Sequence, residues 1–123
     1  MIKKIDHFVI TTAQAKACLD FYKKLGFQVS NAGNRYELRA GDFKINVHLL
    51  GHEIEPHAQH VQAGSADLCF EVDQPISDYY ADLQAQGLHS FSGIVERHGV
   101  HGTMQSIYLR DPDQNLIELS SYR

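Results

Sequence analysis

The chain has 123 residues, enough for one ordinary domain with its own core and no need of a disulfide or metal merely to fold. Apolar residues make up 43% and charged residues 21%, near the globular average, and no apolar run is long enough to span a membrane. A net charge of −4 argues against nucleic acid or an anionic membrane as partner, since both call for basic patches. The first residues, Met1-Ile2-Lys3-Lys4-Ile5-Asp6, lack the apolar core of a signal peptide. Cys18 and Cys69 sit among apolar neighbours and read as reduced core residues, so the expected setting is the cytoplasm.

In chain order, Ile5 to Thr11 reads as a strand, with Phe8 and Ile10 on one face and His7, Val9 and Thr11 on the other. Thr11 or Thr12 is placed to cap the helix that follows. That helix runs from about Gln14 to Leu25; Cys18, Phe21, Tyr22 and Leu25 form its apolar stripe and Gly26 stops it. Phe27 to Ser30 is a short strand, followed by a turn at Asn31 to Asn34. Tyr36 to Ala40 and Phe43 to Leu50 form a hairpin; in its second arm Asn46, His48 and Leu50 oppose Ile45, Val47 and Leu49. Residues 51–64 are a polar linker.

The order then restarts. Asp67 to Val72 is a strand, with Asp67, Cys69 and Glu71 facing away from Leu68, Phe70 and Val72. Pro75 suits the first turn of a helix with the stripe Ile76, Tyr79, Tyr80 and Leu83, ended by Gly87. Leu88 to Ser92 reads as a short strand and Gly93 to Thr103 as a loop carrying Arg97, His98 and His101. Gln105 to Arg110 and Asn115 to Ser120 form the last hairpin. The pattern is β-α-β-β-β twice. It predicts an α+β protein of two βαβββ modules (about 1–50 and about 65–123) whose curled mixed sheet surrounds a central cup, with helices on the outer face.

Four polar residues take repeat-related places on strands whose other face is aliphatic: His7, His48, Asp67 and Glu118. Two imidazoles and two carboxylates balance a divalent cation, and mixed N/O donors suit Zn, Fe, Mn, Co or Ni. Solvated polar positions on one-sided strands are the competing reading.

The segments Ile5-Asp6-His7-Phe8-Val9, Leu19-Asp20-Phe21-Tyr22-Lys23-Lys24-Leu25-Gly26-Phe27 and Tyr108 through Glu118 resemble the vicinal oxygen chelate superfamily, also called the glyoxalase/bleomycin-resistance/dioxygenase group. The resemblance implies two βαβββ modules around a metal-centred cup, with ligands from the first and last strand of each. His7 and Glu118 match that pattern. Asp67 stands where His is common in dioxygenases, fosfomycin-resistance transferases and glyoxalase I. His48 stands where glyoxalase I has Glu, and Gln114 replaces the usual Gly of the Asp-Pro-Asp-Gly turn.

The implied activity is that of a glyoxalase-like, metal-dependent enzyme of lyase or isomerase type, binding vicinal oxygens of a small polar substrate, with Glu118 as general base. Two alternatives stand beside it. One is an Fe(II) ring-cleaving dioxygenase using His7, His48 and Glu118. The other is a non-catalytic binding protein like the bleomycin-resistance branch. Tyr108, which matches a pocket tyrosine of the fosfomycin-resistance branch, and Ser106 and Arg97 are candidates for substrate contact. Arg39 and Tyr36 are weaker ones, and His52, His57 and His60 are expected in solvent. Such modules often pair, so a homodimer is the expected assembly.

Overall fold

The computed structural model describes residues 1–122; the last residue of the second expected module, Arg123, lies outside the described residues. Among these the elements are β1 (His7–Thr12), α1 (Ala15–Leu25), β2 (Gln28–Asn31), β3 (Tyr36–Ala40), β4 (Phe43–Leu49), β5 (Asp67–Glu71), α2 (Ile76–Ala85), β6 (Val95–Gly99), β7 (Gly102–Arg110) and β8 (Leu116–Ser121). They fall into two units. The first comprises Met1–Ala66 with Pro112–Gln114, the second Asp67–Asp111 with the segment from Asn115 onward. Each unit holds one helix and one four-stranded mixed sheet, the α+β repeat read from the sequence.

In the first unit the strand order is β1-β4-β3-β2, with β1 parallel to β4 and the other pairs antiparallel. Ile10, Leu38, Ile45 and Val47 form its buried apolar face. The α1 stripe of Cys18, Phe21, Tyr22 and Leu25 is buried with them. Tyr22 meets Phe21 and Phe27 edge-on, and Phe27 meets Phe43 the same way, geometry that suits the opposed charge of ring edge and face. The helix stops at Gly26, whose φ of 118° is left-handed and whose N–H returns to the Lys23 and Tyr22 carbonyls. At its start, Thr12 Oγ1 accepts the Gln14 N–H and donates to the Asp113 carboxylate, while Gln14 itself caps with no side-chain bond.

In the second unit the order is β5-β8-β7-β6, again with one parallel pair, β5 with β8. Ile107, Leu109, Ile117 and Leu119 are buried, and α2 lies against β7 and β8 through Ile76, Tyr79 and Leu83. Pro75 is the residue that caps this helix rather than part of its first turn.

Three local expectations are corrected. Leu88 to Ser92 is not a strand; it is tied down instead by the Phe91 N–H to the Tyr108 carbonyl and by the Ser90 N–H to the Tyr80 hydroxyl. The segment read as a loop carries β6, so Arg97 and His98 are strand residues paired with Met104 and Thr103. An edge strand with polar residues on both faces shows no alternation to reveal it. Cys18 is buried but Cys69 is exposed, because it lies on the same strand face as Asp67 and Glu71.

Candidate functional site

Strand register decides which side chains share a face. In the second unit Cys69 pairs with Glu118, and Glu118 with Tyr108; one step along, Ser120 pairs with Ser106. Asp67, two residues before Cys69, points the same way and is the diagonal neighbour of Glu118. Glu118 is half-buried there. Ser106 and Ser120, both fully buried, have their hydroxyls 2.7 Å apart, and the Ser120 hydroxyl reaches Glu118 Oε2 at 3.2 Å. A proton sequence from Ser106 to Ser120 to Glu118 therefore orients the carboxylate. The Cys69 thiol lies 3.4 Å from the Ser120 oxygen, and although the residue as a whole is exposed, partial desolvation of its sulfur, ahead of its polar neighbours, pushes it above the usual thiol value. A raised thiol favours the protonated form, which is the weaker nucleophile.

Across the same face, Arg97 Nε donates to the Tyr108 hydroxyl at 2.8 Å and its guanidinium lies 5.4 Å from that ring's centre. The Tyr108 oxygen accepts from Arg97, so its own proton is left for another acceptor. The three residues expected to contact substrate, Tyr108, Ser106 and Arg97, thus belong to one strand ladder with Glu118. His98 and His101 do not join them: His98 alternates to the opposite face from Arg97, and His101, in the β6–β7 turn, meets Tyr122 edge-on.

The first unit's equivalent face reads differently. His7 opposes Lys44, Val9 opposes Asn46, and Thr11 opposes His48. Asn46 in turn opposes Glu37, and Lys44 opposes Arg39. Glu37 is only 7% exposed and is bound by three cations: Arg35, Arg39 and Lys44, at 2.8, 2.8 and 2.9 Å. The Lys44 bond, then Arg39 and Arg35, hold its pKa down to about 2. His48 is buried; desolvation, with Arg35 beside it and partly offset by Glu53, holds it below the usual histidine value. His52, His57 and His60 are exposed, as expected, although His57 also pairs with Glu55.

The register corrects the proposed repeat relation. Since His7 opposes Lys44 and Asp67 opposes Leu116, the first-unit counterpart of Glu118 is Asn46, and the counterpart of His48 is Ser120. His7 and His48 are four register positions apart, roughly 13 Å at the strand rise, so β1 and β4 do not bring them together. Counting alternation within β4 finds the face but not the position along it. The pair His7 and Glu118 keeps the expected places, at the start of the first strand and the middle of the last.

Among the described residues, no three His, Cys, Asp or Glu side chains stand close enough within a unit to hold a metal ion. The donors nevertheless fit an ion that prefers nitrogen and oxygen. His7 Nδ1 meets the Asp6 carboxylate at 2.7 Å, the arrangement that turns Nε2 outward on a ligating imidazole. That contact, first of its causes, keeps Asp6 below the usual carboxylate range. Asp67 and Glu118 offer oxygens on one face of the second sheet.

Two mixed sheets built from repeated βαβββ segments, each with a polar face, define the class of fold. A family model described as the Glyoxalase/Bleomycin resistance protein/Dioxygenase superfamily matches residues 4–119, and the chain belongs to that superfamily. It is 46% identical to the glyoxalase domain-containing protein RDO1 of Mycosarcoma maydis over 99% of this chain and 70% of that protein. The solved structure of virulence protein STM3117 from Salmonella typhimurium is 42% identical, covers 100% of this chain and 99% of its own, and superposes with a TM-score of 0.95. A lactoylglutathione lyase from Agrobacterium tumefaciens shares the fold, with a TM-score of 0.75 at 17% identity over 99% of this chain and 96% of its own. No helix among the described residues is long and apolar enough to cross a membrane.

Proposed function

We propose that the chain is a glyoxalase-like, metal-dependent enzyme of lyase or isomerase type that acts on a small polar substrate with vicinal oxygens. The observation that carries this reading is Glu118, a half-buried carboxylate at mid-strand, oriented by the Ser120 hydroxyl and register-paired with Tyr108. Superfamily membership supports it. Asp67 and Glu118 share a face of the second sheet and would offer oxygen donors to a divalent ion; His7, in the first unit, would offer Nε2. Such an ion would supply Lewis-acid polarisation of a substrate oxygen. Glu118 would serve as the general base. Tyr108, its oxygen already occupied by Arg97, donates its proton to a second substrate oxygen. Ser106 acts through Ser120 by fixing the Glu118 carboxylate and is a positioning residue.

The dioxygenase alternative needs two imidazoles beside one carboxylate. His7 and His48 lie four register positions apart in their own sheet, which supports the first reading over this one. A homodimer is the proposed assembly, checked by light scattering. The test of function is elemental analysis after purification. About one divalent ion per chain is expected, by analogy with metal sites built from three or four side chains. His7→Ala and Glu118→Ala are expected to lose the metal while keeping the wild-type circular dichroism. Wild type without metal after reconstitution, or variants with unchanged content, would favour the non-catalytic binding protein.

A further inference from the structure

The cation cluster of the first sheet is larger than its one carboxylate needs. Arg35, Arg39 and Lys44 share the single anion Glu37, leaving a local charge of +2 from three cations and one carboxylate. The His48 ring adds no negative charge to this face, and Asn46, Val9 and Thr11 add none either. Glu53, which acts on His48 electrostatically, accepts the Gly51 N–H through its Oε1 and keeps its negative charge. Asp6 also acts electrostatically on Lys44 but is bonded to His7, so Glu37 is the one carboxylate that the three cations bond directly.

Two bonds on this face are also unmade. Arg35 Nε has no acceptor, and Asn46 Oδ1 has no donor, although both atoms are buried. Asn46 as a whole is only 7% exposed. Each unmet group keeps its desolvation penalty. A side-chain rotation that turns them toward a ligand regains a bond instead of breaking one. The missing partners are complementary: Arg35 wants an acceptor, Asn46 wants a donor. Their positions are neighbouring, since Asn46 opposes Glu37 and Arg35 precedes Glu37 by two.

We infer that this face is an anion subsite, and that its ligand is a small acid carrying a hydroxyl beside its carboxylate or phosphate. The anionic group takes Arg35, with Arg39 and Lys44 adding charge and further donors. The hydroxyl donates to Asn46 Oδ1. Guanidinium groups suit planar, bidentate capture of a carboxylate, and partial exposure of all three cations leaves them reachable. Glu37 is the internal counter-charge that lets three cations stand together before the ligand arrives. Naming the anion as a substrate group rests on the metal-dependent reading above; the binding itself does not.

The test uses full-length protein stripped of metal by chelation, so that metal chemistry plays no part. Malate, succinate (the same skeleton without the hydroxyl) and inorganic phosphate are titrated by calorimetry and by amide chemical shift at fixed ionic strength. Malate is expected to bind, with shifts centred on Arg35, Asn46 and Lys44. Removing a charged hydrogen-bond partner weakens such binding by about tenfold or more. That loss is expected for Arg35→Gln and for Arg39→Gln, each checked by circular dichroism to keep the wild-type fold. Asn46→Ala is expected to erase the preference for malate over succinate. Lys16→Gln, on the exposed side of α1, is expected to bind like wild type. Equal affinity in wild type and Arg39→Gln would overturn the inference. So would shifts scattered over all surface lysines, or no binding of any of the three probes. Metal content, measured separately, fails or holds independently of these outcomes.

Discussion

The polar faces of the two sheets are the same architectural surface put to opposite electrostatic use. Register matches Lys44, Asn46 and His48 of β4 to Leu116, Glu118 and Ser120 of β8. It also matches Glu37 of β3 to Tyr108 of β7, and Arg39 to Arg110. The first face concentrates cations around one buried carboxylate. The second presents carboxylates, hydroxyls and a thiol. Repetition of a βαβββ segment fixes where a face lies, because the aliphatic side must be buried under a helix. It does not fix what the free face carries. On the reading proposed above, one face would hold an anion and the other would carry proton and metal chemistry, with no change of fold.

If the units differ only on their free faces, their buried faces should respond alike. Ile45 and Ile117 are register counterparts, and both are wholly buried. Truncating either to Ala removes the transfer free energy of its side chain and leaves a cavity, for about 2–5 kcal/mol. Urea unfolding of Ile45→Ala and Ile117→Ala is expected to show losses of similar size in that range. A large loss for one with little for the other would break the comparison, showing that one sheet does not depend on its core.

The next largest effect is electrostatic and belongs to the first face alone. Glu37 has a folded pKa of about 2 against an ordinary 4.5. A depressed carboxylate stabilises the fold fully above its ordinary value, and that contribution disappears as pH falls from 4.5 toward 2. Wild type is therefore expected to lose urea resistance steadily across that window. Glu37→Gln removes the titrating group but leaves Arg35, Arg39 and Lys44 facing one another. It is expected to be less stable than wild type at pH 7 and to show a shallower slope through the acid window. An unchanged slope in Glu37→Gln would mean that other carboxylates carry the acid sensitivity.

Much of this was legible from residue order, and the failures have distinct causes. Alternation in β4 and β8 revealed the apolar and polar faces, because burial of one side imposes a period of two. The helix stripes ending at Leu25 and Leu83 were readable for the same kind of reason. Register was not readable, because it depends on pairing with another strand; hence His48 was matched to Glu118 where Asn46 belongs. Strand β6 was missed because Glu96, Arg97 and His98 are all exposed and leave no apolar rhythm. Glu37 was missed although a signal existed. Arg35, Glu37 and Arg39 recur at every second position, so a strand there must place all three charges on one face.

The smallest predicted effect compares two turns. The β3–β4 turn holds Gly41 at φ 52°, whereas the β7–β8 turn holds Gln114 at φ 73°. Glycine tolerates the left-handed region because it lacks a Cβ; a residue with one is destabilised there by roughly 1–2 kcal/mol. Gln114→Gly relieves that strain, but it also loosens the unfolded chain, which offsets part of the gain. A net stabilisation of about 0.5–1 kcal/mol is expected, read as a higher urea midpoint at unchanged slope. The gain should leave anion binding untouched, since Gln114 is distant in sequence and strand pairing from Arg35 and Asn46. A loss of stability would mean that the Gln114 side chain contributes more than its backbone costs. The neighbouring Asp113 marks how that could arise: its carboxylate receives the Thr12 hydroxyl and the Ala13 N–H, so the turn's conformation is coupled to the start of α1.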